Sequence, residues 1–491
     1  MDKRDEFSRI LTRMKVTDDH KTRMLYASDH SYAPVLQPDL VVRPHTSDEV
    51  IDVVNLARDK GYPLVPVSSG PPHFRGDSVP SVDGAVIVDL SGMKRIEWIN
   101  RRNRVAVIEP GVTFSELQAA LDKQGLRTMF PLLPRSAKSV VGAYMEREPF
   151  TLPKYAWDLG DPIASSEIIL GDGYRMRTGG GAGPAPTLEG QRKVGGAQKL
   201  PLSPGAMDAR RIIQGSQGSM GICTWLAIRC ELLPEHEEIR FVGSDELGPL
   251  IEAAYRLIYL RLPDEMYIIN AMTMACLLAQ SPENIAALRD RLPEWILVLS
   301  VGGYGTLARD QFDYKMGDLE EEAGRLGIEL NASLGGVANK DYRGQVVRRI
   351  SSGEYWKMRY QGDCRELFFL TSLARAPEFI GKIKETARTH GCDPSNMGVY
   401  LQQVIQGTAC HVGFDFFMEP DRIREFGHDF HALSLTAFEM GGYFSRPYGD
   451  WADIVYPPAK TFVKYARGLK RIFDPALIMN PEKLCFKEMS G

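Results

Sequence analysis

Residues 63–77 read PLVPVSSGPPHFRGD. Ser68, Ser69 and Gly70 carry little side chain, so backbone N–H groups there can approach a pyrophosphate closely. The flanking prolines stiffen the path and donate no N–H. An ordinary proline-rich turn has the same composition, but two further stretches repeat the chemistry. PRSAKSVVG at 134–142 brings small hydroxyl residues and a glycine after a proline, and QGSQGSMGICT at 214–224 puts three glycines into eight residues before a strand. A different chemistry is suggested by QQVIQGTACHVGFDFF at 402–417, which alternates as a strand and would put Gln403, Ile405, Gly407, Ala409 and His411 on one face. His411 is the best general-base candidate, since a group titrating near neutrality suits removal of an alcohol proton. The alternative is a structural histidine.

These stretches need a scaffold. From about 38 to 100 strand and helix alternate: DLVVRP, the helix TSDEVIDVVNLARDKG, then PLVPV, GAVIVDL and RVAVIEPG as strands. The helix takes Thr46 or Ser47 as N-cap, Val50, Ile51, Val54 and Ala57 as its apolar face, and Gly61 as its stop. FSELQAALDKQG closes on Gly125. At the N-terminus Phe7, Ile10, Leu11 and Met14 fall at helical spacing. Residues 178–206 are rich in glycine and proline and read as a long surface loop, either a linker or an active-site lid. After Pro234, helices and strands alternate again, and an antiparallel sheet covered by helices is the natural expectation.

Composition narrows the function. The chain has 491 residues, 44% hydrophobic and 25% charged, with a formal net charge of -4 and no long run of like charge. That argues against a nucleic-acid or membrane-surface partner and for a small-molecule enzyme. The seven cysteines show no C-x-x-C spacing, which excludes an obvious iron–sulfur or structural zinc site. The histidines form no metal-binding pair, although His428 and His431 lie close together. No apolar stretch reaches the roughly 20 residues that span a bilayer. The expectation is a cytoplasmic protein of two or more domains, or of one domain carrying a large insertion.

Taken in order, YASDHSYAP, VVRPHTSDEV, PLVPVSSG, GVTFSELQAAL, ILGDGYRMRTGG, GSQGSMGICT and the terminal FDPALIMNPEKL resemble the FAD-linked oxidases of the vanillyl-alcohol oxidase and p-cresol methylhydroxylase (PCMH) superfamily, the D-lactate and glycolate dehydrogenases included. The resemblance implies an α+β fold with three parts. These are a PCMH-type FAD-binding domain of two α/β subdomains over 1–235, an α+β cap domain with an antiparallel sheet over 236–430, and a C-terminal segment over 431–491 that returns to the FAD domain.

Carried over position by position, the resemblance assigns FAD to Val67, Ser68, Ser69, Gly70, Pro71 and Pro72, to Pro134, Ser136, Ser139, Val141 and Gly142, and to Gly218, Gly221, Ile222 and Asn480. Pro71 stands where relatives with a covalent flavin have histidine, so noncovalent FAD is expected. GGYFSRPYGDW at 441–451 is similar to the segment that brings an aromatic residue and an arginine beside the flavin, which places Tyr443, Arg446 and Tyr448 at the substrate with His411. Arg446 would bind a carboxylate or phenolate, or else pair with Asp450 or Asp453. Arg135 is a second cationic candidate. His73 either shapes its turn or faces the flavin.

The implied activity is an FAD-dependent oxidoreductase, dehydrogenase or oxidase, taking a hydride from a small hydroxy acid or an aromatic or benzylic alcohol onto flavin N5. Electrons would then pass to oxygen, a quinone or an electron-transfer flavoprotein. Two alternatives stand beside it: an FAD-binding electron-relay subunit of a larger redox complex, and a nucleotide-binding protein without flavin. A homo-oligomer is compatible with either.

Overall fold

The structure, a computed structural model, describes residues 2–183, 185, 187–194 and 200–489. Its first layer is a four-stranded sheet in the order Val16–Thr17, Leu40–Val42, Val86–Asp89, Leu64–Val67. The last three strands run parallel, and parallel neighbours need a crossover. The helix Ser47–Lys60 is that crossover. Thr46 caps it by accepting from the Glu49 N–H, Asp48 and Glu49 sit in its positive first turn, and Gly61 at φ +70° ends it. It buries Val50, Val53, Val54 and Ala57, whereas Ile51 stays half-buried at the margin. The N-terminal helix stops at Ile10, and Met14, expected on its apolar face, is exposed.

A second sheet, antiparallel, runs Ile96–Asn100, Val105–Ile108, Ile222–Arg229, Ile163–Ile169, Arg175–Arg177. Its helix, Phe114–Asp122, begins with a reciprocal Thr113–Glu116 capping box and buries Phe114, Leu117 and Leu121. The 178–206 excursion differs from the loop expected there. Gly179, Gly180 and Gly181 are buried, the Gly180 N–H donates to the Leu200 carbonyl at 2.6 Å, and Leu188–Lys193 is helical. Glycine allows this, because a Cβ at Gly181 would touch the Trp225 ring at 3.1 Å. Residues 184, 186 and 195–199 of that stretch lie outside the described residues.

The third sheet has six antiparallel strands in the order His236–Ser244, Trp295–Gly303, Met266–Asn270, Met397–Val404, Ala409–Met418, Asp363–Thr371. Trp295–Gly303 shows how it is sandwiched. Leu297 and Leu299 pack toward the helices Leu247–Tyr259, Ala308–Leu326 and Ala376–Thr389, while Ile296 and Val298 pack toward Ala271–Leu278 and Asn339–Gln345. The helix Ile423–Glu439 crosses position 430 and remains in the first of these cores with Phe444 and Trp451. The helix Lys460–Phe473 and the tail pack against the second sheet through Ala466, Leu484 and Phe486. Among the described residues no helix is long and apolar enough to cross a membrane.

Candidate active site

The segment 402–417 folds as a hairpin rather than one strand. Ile405, Gln406 and Gly407 all take positive φ in the turn, and Gln402 pairs with His411. By register Gln403 shares the strand face of Cys410 rather than that of His411, and Gln403 and Ile405 meet His411 only around a small side cavity next to Arg446. His411 instead stands across from Tyr400, their ring centroids 5.8 Å apart, on the side opposite Cys410, Val412 and Phe414, which fill the helix-covered core.

That face closes a cavity of about 230 Å³ whose other wall is built from the three glycine and serine loops. Val67, Ser68, Ser69, Pro134, Val141, Gly142, Gly218 and Gly221 line it. The loops can meet because they lack side chains. A Cβ on Gly142 would lie 2.9 Å from the Ser68 hydroxyl, one on Gly221 would lie 2.6 Å from Ile168, and one on Gly218, at φ +72°, would run into the Pro66 ring. Gly70 contributes backbone: its carbonyl accepts from Arg135 at 2.5 Å and its N–H donates to Ala137.

Other expected contacts serve the framework. Ser139 caps the helix Val140–Met145 and donates to the Pro110 carbonyl, Ile222 is buried in the sheet core, and Pro71, Pro72 and Ser136 are exposed. Asn480 ties the tail to the loops, donating to the carbonyls of Asp77 at 2.9 Å and Gln217 at 2.7 Å.

These residues fit a flavin nucleotide. His73 Nε2 and Ser78 Oγ are buried in the cavity wall without a hydrogen-bond partner, and such groups are rarely left unmatched unless a ligand meets them. Burial, with Arg135 nearby, lowers the His73 pKa to about 3, so it presents a neutral imidazole. Its backbone carbonyl accepts from the His30 N–H, which also fixes the turn.

The opposite end of the cavity is charged. Arg446 is 3% exposed, its Nε and Nη1 have no partner, and its guanidinium lies 4.1 Å from the centre of the Phe368 ring. No ion pair joins it to Asp450 or Asp453, and Asp453 pairs with Lys487 instead. Burial and the neighbouring Arg75 destabilise its charge. His411 is pushed well below 6.5 by burial and by the same two guanidinium groups, Arg446 and Arg75.

Tyr448 is buried against Arg75 and Phe368. Tyr443, expected beside the substrate, is 62% exposed, because its backbone pairs with Leu370 and turns the side chain outward.

Around them lies an ionic network that motif reasoning missed. Arg75 bridges Glu366 at 3.1 Å and Glu148 at 3.9 Å. Lys138 holds Glu148 at 2.8 Å and Glu146 at 3.0 Å, and Lys357 pairs with Glu366 and, at 2.6 Å, Asp415. Burial and the adjacent carboxylates push Glu146 up to about 7, while Lys138 and Arg75 keep Glu148 low. The available signal was DCRELFFLT at 363–371, where charges interrupt an apolar strand.

Residues 38–179 match the family model described as an FAD binding domain. Over 234 residues the chain is 30% identical to the 1'-carboxy-chondrochloren decarboxylase of Chondromyces crocatus, covering 48% of this chain and 41% of that protein. It is 26% identical over 226 residues to the mitochondrial cytochrome-type D-lactate dehydrogenase of Arabidopsis thaliana, covering 46% of this chain and 36% of the relative. Each match thus spans less than half of the relative. The fold match is complete: p-cresol methylhydroxylase with bound substrate superposes with a TM-score of 0.83 at 17% identity, over 99% of this chain and 97% of that one. Residues 38–179 thus match an FAD-binding domain in sequence, and the whole chain shares the fold of p-cresol methylhydroxylase.

Proposed function

We propose that this protein is an FAD-dependent oxidoreductase that oxidises a small anionic or phenolic substrate carrying a hydroxyl group. The observation that carries the reading is Arg446, a buried guanidinium with two unpartnered nitrogens, in the same cavity wall as a neutral histidine. A buried cation without a partner is strongly unfavourable, and an anionic substrate would satisfy it. The loops at 67–70, 134–142 and 218–221 hold the FAD, noncovalently, since proline occupies position 71. Bound FAD supplies the hydride acceptor.

Arg446 fixes the substrate anion through its two unpartnered nitrogens. His411, neutral at physiological pH, takes the hydroxyl proton. Phe368 and Tyr400 flank that imidazole and exclude water from it. Glu366 neutralises Arg75, so that of the two neighbouring guanidinium groups Arg446 keeps its charge for the substrate.

The test is anaerobic bleaching of the bound flavin near about 450 nm, where oxidised flavin absorbs, against hydroxy acids and benzylic alcohols. Bleaching is expected with at least one class and should be lost in Arg446→Met. Reduction only by a protein partner would favour an electron-relay subunit instead. Acid precipitation should leave the pellet colourless, and a yellow pellet would overturn noncovalent binding.

A further inference from the structure

Behind the Arg75 and Phe368 side chains lies a second chamber of about 440 Å³. It shares five wall residues with the main cavity: Phe74, Arg75, Gln217, Glu366 and Phe368. The two spaces therefore adjoin, with these side chains standing at the boundary between them. The partition is built from a cation on an aromatic face, with the Arg75 guanidinium 4.5 Å from the Phe368 ring centre and 5.6 Å from that of Tyr448, and Glu366 paired to it at 3.1 Å.

The chamber's remaining wall joins an aromatic patch of Tyr32, Phe430, Tyr448 and Trp451, where Phe430 stacks on Trp451 at 6.1 Å, to a charged side that carries Asp450, Lys483 and Lys487. Two polar atoms in this wall are buried without a well-formed hydrogen bond, Arg365 Nε, on a residue only 5% exposed, and the Tyr32 hydroxyl, and the two residues lie against each other. The Arg365 guanidinium lies 5.1 Å from the Tyr32 ring centre, and its Nη1 donates to Asp363 at 2.6 Å. Asp363 balances the charge of Arg365 but leaves its Nε without an acceptor. Aromatic walls with a few convergent polar groups are the composition of a ligand site, and two buried unmatched atoms on one side of it call for a ligand oxygen.

We propose that this chamber binds the distal, non-reacting part of an elongated substrate: an aromatic ring carrying a hydrogen-bond-accepting or anionic oxygen, held by Arg365 Nε and the Tyr32 hydroxyl. The inference rests on the proposed function for the identity of the reacting end, but the binding site itself does not. The Arg75–Glu366 pair divides the reacting end from the distal end and makes the partition a determinant of substrate length.

The test uses the full-length flavoprotein and 1-anilinonaphthalene-8-sulfonate, an aromatic anion, followed by its fluorescence. Saturable binding is expected, at least 10-fold weaker in Arg365→Met and in Ala33→Trp, which fills the chamber from its exposed loop, and within twofold of the parent in Arg446→Met. The Ala33 variant keeps the test decisive should Arg365→Met fail to fold. Undiminished dye binding in Ala33→Trp, or equal loss in Arg446→Met, would overturn the chamber.

In flavin reduction, Arg365→Met should raise KM for 4-benzyloxymandelate and leave that for mandelate unchanged. An equal rise for both would overturn the division between reacting and distal ends. A dye site behaving as expected, with no substrate able to bleach the flavin, would support the chamber as a ligand site while overturning the redox reading.

Discussion

At the residue scale the site depends on which charges are matched. Arg75, Lys138 and Lys357 each lie beside carboxylates, whereas Arg446 has none. Losing one member of a buried, hydrogen-bonded charge pair costs roughly 2–5 kcal/mol, so Arg446→Met should lower kcat/KM for an anionic substrate by about two to three orders of magnitude. Flavin content, measured by the absorbance ratio, should stay near that of the parent.

The His411 pKa is depressed because burial and two guanidinium groups disfavour the imidazolium. The imidazole therefore stays neutral as pH falls through 6.5. The acidic limb of the kcat/KM profile assigned to it should lie well below 6.5, and His411→Gln should abolish that limb.

Glu146 has the opposite sign. Its folded pKa is raised from 4.5 to about 7, so its contribution to stability is present below about 4.5 and is lost as pH rises toward 7. Glu146→Gln, neutral throughout, should gain in melting temperature relative to the parent between pH 4.5 and 7. A constant difference across that window would refute the assignment.

At the scale of elements, the three glycine and serine loops are held together by what their glycines lack. Gly218→Ala would combine a left-handed backbone with a clash against Pro66. Such strain costs about 1–3 kcal/mol, so thermal stability and bound flavin should fall together. Gly317→Ala, in the interior of the helix Ala308–Leu326 with open space around it, should stabilise by about 0.5–1 kcal/mol.

These loops and their helices were legible in the sequence because their determinants are local. Thr46, Gly61 and the Thr113–Glu116 box act within four residues of themselves. The 402–417 hairpin was misread because a turn of three positive-φ residues can keep strand-like alternation in its letters. Tyr443 was misplaced because the direction of its side chain is set by the bridge to Leu370, 73 positions away in the chain.

At the scale of the whole molecule, the FAD-binding part and the six-stranded sheet meet over buried charge as well as apolar surface. Arg127 is fully buried, 3.4 Å from Glu265, 3.8 Å from Glu237 and 3.9 Å from Asp264, and Lys154 also pairs with Asp264. Removing the cation leaves carboxylates unpaired in the interior, so Arg127→Met should destabilise by about 3–5 kcal/mol. Denaturant unfolding checks this, and a change below 1 kcal/mol would show that the acids are satisfied without it.

The sequence by itself determined the glycine and serine loops, the crossover helix and the order of the segments, because turn composition and helix capping are written in neighbouring residues. Only the tertiary structure decided which charges stay unmatched. It left Arg446 without a carboxylate, paired Arg75 with Glu366 across 291 positions, and set the second chamber beside the first. Coulombic pairing and burial depend on distance in space, and the six-stranded sheet brings together residues that the chain keeps far apart.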